Sequence, residues 1–323
     1  MRVSSSSFTN SLLNQLGQIS ARQTRLQNQA ATGQRIQAPE DDPAAVRRVL
    51  SLQVEGKTVA QYQANVNTLQ ERATASYQAM NSVKKISDRA GEIATLADGH
   101  RSSQELQSYS DEVTHLIEQA VQDMNSQDQG DYIFGGTKTD RPPFVLTQDS
   151  NEKVISVTYQ GNTTVPDGQI AADSDVTATV PGANDTGSGA RGFVTDTRVG
   201  ADFFNHLISL QNHLQTAATD TTAATDKAAA IAAIAATDRP ALAKDEDNII
   251  YNLGSNGAVQ TRLTAASQLA QSRSTSLRGL VSQQADADLA QTLVKLNQTQ
   301  TAYQAALQTG ATIMNQSLLN YLR

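Results

Sequence analysis

The chain has 323 residues, with 25 Lys and Arg against 32 Asp and Glu for a formal net charge of −7, and it contains neither Cys nor Trp. Without thiols there is no disulfide framework, no thiolate metal site and no cysteine nucleophile. At 38% hydrophobic and 4% aromatic residues the chain is too poor in large side chains to fill one compact globule, and its acidic total argues against nucleic acid as the main partner. No window approaches the roughly 18 apolar residues of a membrane span, so no membrane insertion is expected. Residues 1–8 lack the apolar stretch of a cleaved secretory signal.

Charge is unevenly placed. Before Glu40 there are four basic residues, Arg2, Arg22, Arg25 and Arg35, and no acid; after Asp288 only Lys295 and Arg323 remain. Setting +4 and +2 aside from −7 leaves −13 on the middle of the chain. Solvated helices normally carry interspersed charges of both signs, so these two Gln-, Ser- and Thr-rich ends look prepared to be covered.

Prolines at 39, 43, 142, 143, 166, 181 and 240 leave 1–38, 44–141 and 241–323 free to be helical. In the first stretch Leu12, Leu16, Ile19, Leu26 and Ala30 keep the 4 and 3 spacing of a coiled-coil seam, with Gln23 as its polar position. Asp42 before Pro43 predicts a capped helix start. Tyr62, Val66, Leu69, Ala73, Met80 and Val83 then repeat the seam with Ser76 interrupting, and Val59, Ile86, Ala90 and Ile93 extend it. Asp98-Gly99 predicts a stop through a left-handed glycine, after a helix of roughly 80 Å at about 1.5 Å per residue. Ser102 and Glu105 fit a capping box, and Leu106, Tyr109, Val113, Leu116, Ala120 and Met124 line one face of a helix that folds back.

Residues 131–140 read as a hairpin or extended turn, 154–159 as a strand, with weaker strands near Ile170 and Val176–Val180 and a loop over 182–192. Helix resumes near Asp202 with Phe203, Leu207, Leu210 and Leu214 on one face. His206 and His213 lie seven apart on it, but no third ligand is in view, so a solvated pair is expected rather than a metal centre. Residues 216–236, rich in Ala, Thr and Asp, are either a weak helix or a linker. Leu263, Ala266, Leu269 or Ala270, Leu277 and Leu280 form one amphipathic run; Leu289, Leu293, Leu296, Tyr303, Leu307, Met314, Leu318 and Tyr321 form another in the acid-free tail.

The expected fold is mainly α: an elongated antiparallel helical bundle with terminal coiled-coil helices and a small β-rich insertion. Its divisions are an N-terminal assembly helix and bend (1–42), the first half of a helical rod (43–140), the insertion (141–200), a connecting helix and linker (201–245), the second half of the rod (246–288) and a C-terminal assembly helix (289–323).

Three segments carry a resemblance. Thr32-Gly33-Gln34-Arg35-Ile36 through Glu40-Asp41-Asp42-Pro43 resembles the bend of the flagellin family. Tyr132-Ile133-Phe134-Gly135-Gly136-Thr137-Lys138-Thr139 before Pro-Pro-Phe, and residues 299–307 with Leu318-Leu319-Asn320-Tyr321-Leu322, are similar to that family's hook-filament junction branch. The resemblance covers about 1–145 and 250–323. It implies a structural subunit of the bacterial flagellum, outside the cell and exported without a cleaved signal, joining hook to filament by helical self-assembly through paired terminal helices. Filament or minor flagellin is the alternative, since Arg323 closes the tail. Implied partners are further copies of the chain, the hook-side junction protein, flagellin and an export chaperone. Implied functional residues are the seam Leu12, Leu16, Ile19, Leu26, Leu289, Leu293, Leu296, Tyr303, Leu307, Met314 and Leu318; the bend and cap Gly33, Arg35, Asp41, Asp42 and Pro43; and the turn Tyr132, Phe134, Gly135 and Gly136.

No catalytic residue, cofactor or metal is assigned. Phosphate-loop, dinucleotide, zincin and serine-hydrolase motifs are absent, and the four histidines have no triad partners in sequence. Glu40-Asp41-Asp42 reads as a helix cap on an acidic bend rather than a cation site.

Overall fold

The computed structural model describes residues 4–219 and 224–321, and the side chains of 10–219 and 225–312. The chain forms two compact units, one of residues 1–59 and 272–323 and one of residues 60–271. The division falls within the helices Pro43–Leu96 and Arg239–Ala285.

The terminal unit holds α1 (Ser4–Thr32), the start of α2 (Pro43–Leu96), the end of α6 (Arg239–Ala285) and α7 (Leu289–Tyr321). Asp42 caps α2 by accepting from the Ala45 N–H at 3.0 Å, and Asp288 caps α7 by accepting from the Gln291 N–H at 3.0 Å. Its apolar interior is slight: Leu26, Ala45 and Leu277 are the buried apolar side chains among the described residues.

The central unit is different. The row Met80, Val83, Ile86, Ala90 and Ile93 of α2 packs into one core with Leu106, Val113, Ile117 and Met124 of α3 (Ser103–Met124) and with Phe203, Leu207, Leu210 and Leu214 of α4 (Phe203–Ala218). The capping box at Ser102 and Glu105 is formed in both directions. The end of α2 departs from expectation, for Gly99 is not left-handed. The helix stops at Leu96, whose carbonyl accepts from Arg101 Nε at 3.2 Å, and Asp98 turns the chain by accepting from the His100 N–H at 3.0 Å.

The segment from 127 to 202 is a set of separate short ladders. β1 (Gln127–Asp128) pairs with β2 (Asp131–Tyr132), β3 (Phe144–Gln148) with β4 (Val154–Tyr159) and β5 (Asp167–Ala171) with β6 (Ser174–Thr177), all antiparallel. β7 (Ala183–Asn184), inside the expected loop, runs parallel to β8 (Thr195–Asp196), which pairs antiparallel with β9 (Ala201–Asp202). These ladders cannot sustain a core alone. Phe144, Val154, Phe193 and Val194 join the main helical core, while Ile170 and Val176 pack on Val66, Leu69 and Ala73 of α2 and on Leu263.

The ambiguous stretch is helix where described: α5 (Ala224–Ala233), then a π-helical turn at Ile234–Asp238 leading into α6. Pro240 accounts for the widened turn, because its ring crowds the carbonyl four residues back and it has no N–H to donate. His206 and His213 are not a solvated pair. Each Nδ1 bonds a buried carboxylate, Asp245 at 2.7 Å and Asp238 at 2.6 Å.

Candidate assembly surface

The acid-free ends are brought together at the bend between α1 and α2. Gly33 takes a left-handed φ of 70°, which a glycine adopts without a Cβ penalty. Its carbonyl accepts from the Ala287 N–H at 2.8 Å, the Arg35 N–H donates to the Ala285 carbonyl at 2.7 Å, and Gln34 bridges Asp286 antiparallel. The α1–α2 bend is thus stitched to the α6–α7 bend by backbone. Arg35 adds a second tie, its guanidinium reaching Asp42 at 3.2 Å and the Gln284 carbonyl at 2.7 Å. Both charges are partly exposed, so the ion pair itself is worth little and the cross-chain carbonyl contact matters more. Asp41 accepts from the Ala38 and Gln37 N–H groups, which hold its carboxyl below the usual range; the Ala45 N–H and then Arg35 do the same for Asp42. These acids are occupied as turn and cap acceptors. Among the described residues no three metal-ligating side chains cluster.

From this clasped bend α1 and α7 run antiparallel against each other. Gly33 meets Ala287 at one end. At the other, a Cβ on Gly310 would fall 2.7 Å from Leu12 Cδ2, so the helices approach closely there because Gly310 has no side chain. On α1 the inward row is Leu12, Leu16, Ile19, Gln23, Leu26 and Ala30, half-buried apart from the buried Leu26. On α7 the inward row is Thr292, Leu296, Thr299, Tyr303, Ala306 and Gly310. Of the expected assembly leucines and tyrosine on α7, Leu296 and Tyr303 are half-buried in this row, whereas Leu289, Leu293 and Leu307 are exposed, with Val294 beside them. The row spacing is 4 and 3 throughout, yet four of its six members are Thr, Ala or Gly. Thr299 can serve as an apolar surface because its hydroxyl is satisfied by the Lys295 carbonyl at 2.7 Å. The 4-and-3 spacing of these threonines was the available signal, masked by the larger leucines one position away. The side chains of Met314 and Leu318 lie outside the described residues.

The terminal unit therefore exposes Leu13, Leu50, Val54, Leu280, Leu289, Leu293, Val294 and Leu307 against its three buried apolar side chains. Single exposed leucines are ordinary; a unit whose described residues expose more large apolar groups than they bury is not.

In the central unit the Tyr132–Thr139 turn is structural. Phe134 is fully buried and stacks on Phe193 at a centroid distance of 5.7 Å. Its carbonyl accepts from the Gly182 N–H at 2.8 Å and from the Tyr159 hydroxyl at 2.9 Å, and burial pushes the Tyr159 pKa up to about 12. Tyr132 is half-buried, its N–H on the Thr139 carbonyl at 3.2 Å. A Cβ on Gly135 would lie 2.2 Å from the Lys138 carbonyl oxygen, and one on Gly136, whose φ is 70°, 2.2 Å from Asn162 Oδ1. Both positions admit only glycine. Asn162, in the Asn-Thr-Thr acceptor pattern, is engaged with Thr137 through both side-chain atoms.

Residues 3–139 match the family described as the bacterial flagellin N-terminal helical region. A comparison with curated protein sequences gives no match. Among solved structures, a putative flagellar hook-associated protein from Vibrio parahaemolyticus is similar at 18% identity and TM-score 0.61, over 76% of this chain and 100% of that one. FlgL from Xanthomonas campestris is similar at 18% identity and TM-score 0.57, over 70% of this chain and 98% of that one. The flagellar junction protein FlgL from Legionella pneumophila aligns at 12% identity and TM-score 0.56, over 74% of this chain and 100% of that one. Residues 3–139 are thus similar to the flagellin N-terminal helical region, in a chain whose fold is shared with flagellar hook-associated proteins.

Proposed function

We propose that this chain is a structural, non-enzymatic subunit of the bacterial flagellum that joins hook to filament by helical self-assembly through its terminal unit. The observation that carries the reading is the imbalance in that unit, which among the described residues buries three apolar side chains and exposes eight large ones, five of them on the acid-free helices α1 and α7. Helices gain most of their stability from packing, so α1 and α7 are marginal in an isolated molecule and completed by neighbours. One heterologous contact repeated by a fixed screw operation generates an open polymer. Low charge then serves assembly, because like charges stacked in many copies repel at low dielectric, whereas Gln, Asn, Ser and Thr hydrogen-bond without accumulating charge. The partners on this reading are copies of itself, a hook-side junction protein and flagellin outside the cell, with an export chaperone inside, and export proceeds without signal cleavage. Deleting the gene in its host and imaging cells by electron microscopy tests it. The expected result is hooks without filaments and flagellin shed into the medium; filaments of normal number and length contradict it.

A further inference from the structure

Two histidines a heptad apart on α4 face two aspartates a heptad apart across the π turn and α6, and this double rung lies within the central unit. Asp238 and Asp245 are each about 1% exposed. Asp238 accepts from Ser209 Oγ at 2.8 Å and pairs with His213 Nδ1 at 2.6 Å; Asp245 accepts from the Asp202 N–H at 2.8 Å and pairs with His206 Nδ1 at 2.7 Å. Among the described residues the histidine is the one cationic side chain paired with each. Of the neighbouring cations, Arg239 donates to the Ala94 and Thr95 carbonyls, Lys227 to the Arg101 carbonyl and Lys153 to Gln215, while Lys244, next to Asp245 in sequence, holds its Nζ 3.8 Å from where a Cβ on Gly200 would lie. The α3 helix presents hydroxyls to α4, Ser110 on the Gln211 carbonyl and Thr114 on Gln211 Nε2. The remaining charge near His206 is acidic, Asp202 beside Asp238 and Asp245.

We propose that the His206–Asp245 rung, set beside the parallel His213–Asp238 rung, is a proton-controlled clasp that closes α4 onto the start of α6 at acidic to neutral pH and loosens it in alkali. A buried carboxylate that loses its counter-ion is strongly destabilising, because desolvation is no longer offset. Loosening is local, since the rungs hold only the 203–218 and 234–245 segments together. The direction for His206 agrees: burial disfavours its charged form, but the Asp245 hydrogen bond and the surrounding acids outweigh it and raise the imidazole above its ordinary value. Asp245 is raised by burial, opposed by His206. Both groups with raised values stabilise the fold more in their protonated forms. The His206 contribution is therefore complete below an unfolded value of about 6.5 and lost as pH rises from there through the folded value.

Hydrogen exchange on the full chain between about pH 6 and about pH 9, corrected for intrinsic rates, tests the clasp, with α3 amides as internal reference. Protection of 203–218 and 234–245 relative to 103–124 is expected to fall by up to about tenfold per pH unit across the His206 titration window. His206→Asn with His213→Asn keeps a short neutral donor at each rung and is expected to flatten that slope. Asp238→Asn with Asp245→Asn removes the buried charges and is expected to flatten it too, which decides the matter should the histidine variant fold poorly. A wild-type ratio that does not change with pH, or an unchanged slope in a folded variant, overturns the proposal. Neither readout depends on assembly.

Discussion

Leu293→Asp combined with Leu307→Asp leaves the isolated protein's stability and secretion unchanged and abolishes its incorporation into the flagellum. The two leucines are 51% and 46% exposed, so the substitutions remove no intramolecular contact of consequence, and surface changes of this kind stay within about 0.5 kcal/mol. In a polymer the balance reverses. Each leucine forfeits about 1.5–3 kcal/mol of burial, and a carboxylate enclosed without a partner adds several kcal/mol more. Helical repetition applies that loss at every subunit. The comparison of cell-attached and medium fractions, with thermal unfolding of the purified variant alongside, reads both halves. A variant still found on cells at the wild-type level removes the exposed α7 row from the interface. The same pair at Leu16 and Leu296 is less discriminating, because those side chains are already half-buried between α1 and α7.

Phe134→Ala is expected to destabilise the central unit by about 3–5 kcal/mol, a large share of the 5–15 kcal/mol typical of a folded domain. The ring is fully buried and stacked on Phe193, itself fully buried, so truncation leaves a cavity and removes an aromatic pair. The two hydrogen bonds to the Phe134 carbonyl survive, because they belong to the backbone. Urea unfolding followed at the central unit checks this: a lower midpoint with unchanged slope is the expected result, and a loss below about 1 kcal/mol shows a site that collapses around the smaller side chain. The residues of this turn are thus a keystone of the core, which explains why glycines follow it.

The parts of the fold that one local interaction decides were legible in the sequence. Asp42 before Pro43 and the Ser102–Glu105 box mark helix starts because each is a side chain satisfying an orphan N–H within three residues. The α2 row from Val66 to Ile93 was legible because every fourth or third residue is apolar and long-range packing reinforces that period. Where tertiary contacts competed, local reading failed. Gly99 stayed out of the left-handed region because Arg101 and Asp98 had already terminated the helix. On α7 the closest helix approach selected Thr292, Thr299 and Gly310 over larger leucines, a choice that depends on Leu12 from the far end of the chain. His206 and His213 found their aspartates on an element 25 to 39 residues away, and no sequence pattern pairs them. The separate ladders of 127–202 were visible as strands, but their dependence on the helical core follows only from Phe144, Val154 and Phe193 pointing into it.

Hydrogen exchange on the assembled and the dilute monomeric protein compares the terminal helices directly in their two states. In the monomer, amides of 10–32 and 289–312 should exchange close to intrinsic rates while those of α3 and α4 remain protected, and in the assembly the terminal helices should become as slow as the centre. Terminal helices already as protected as the centre in the dilute monomer would contradict the account.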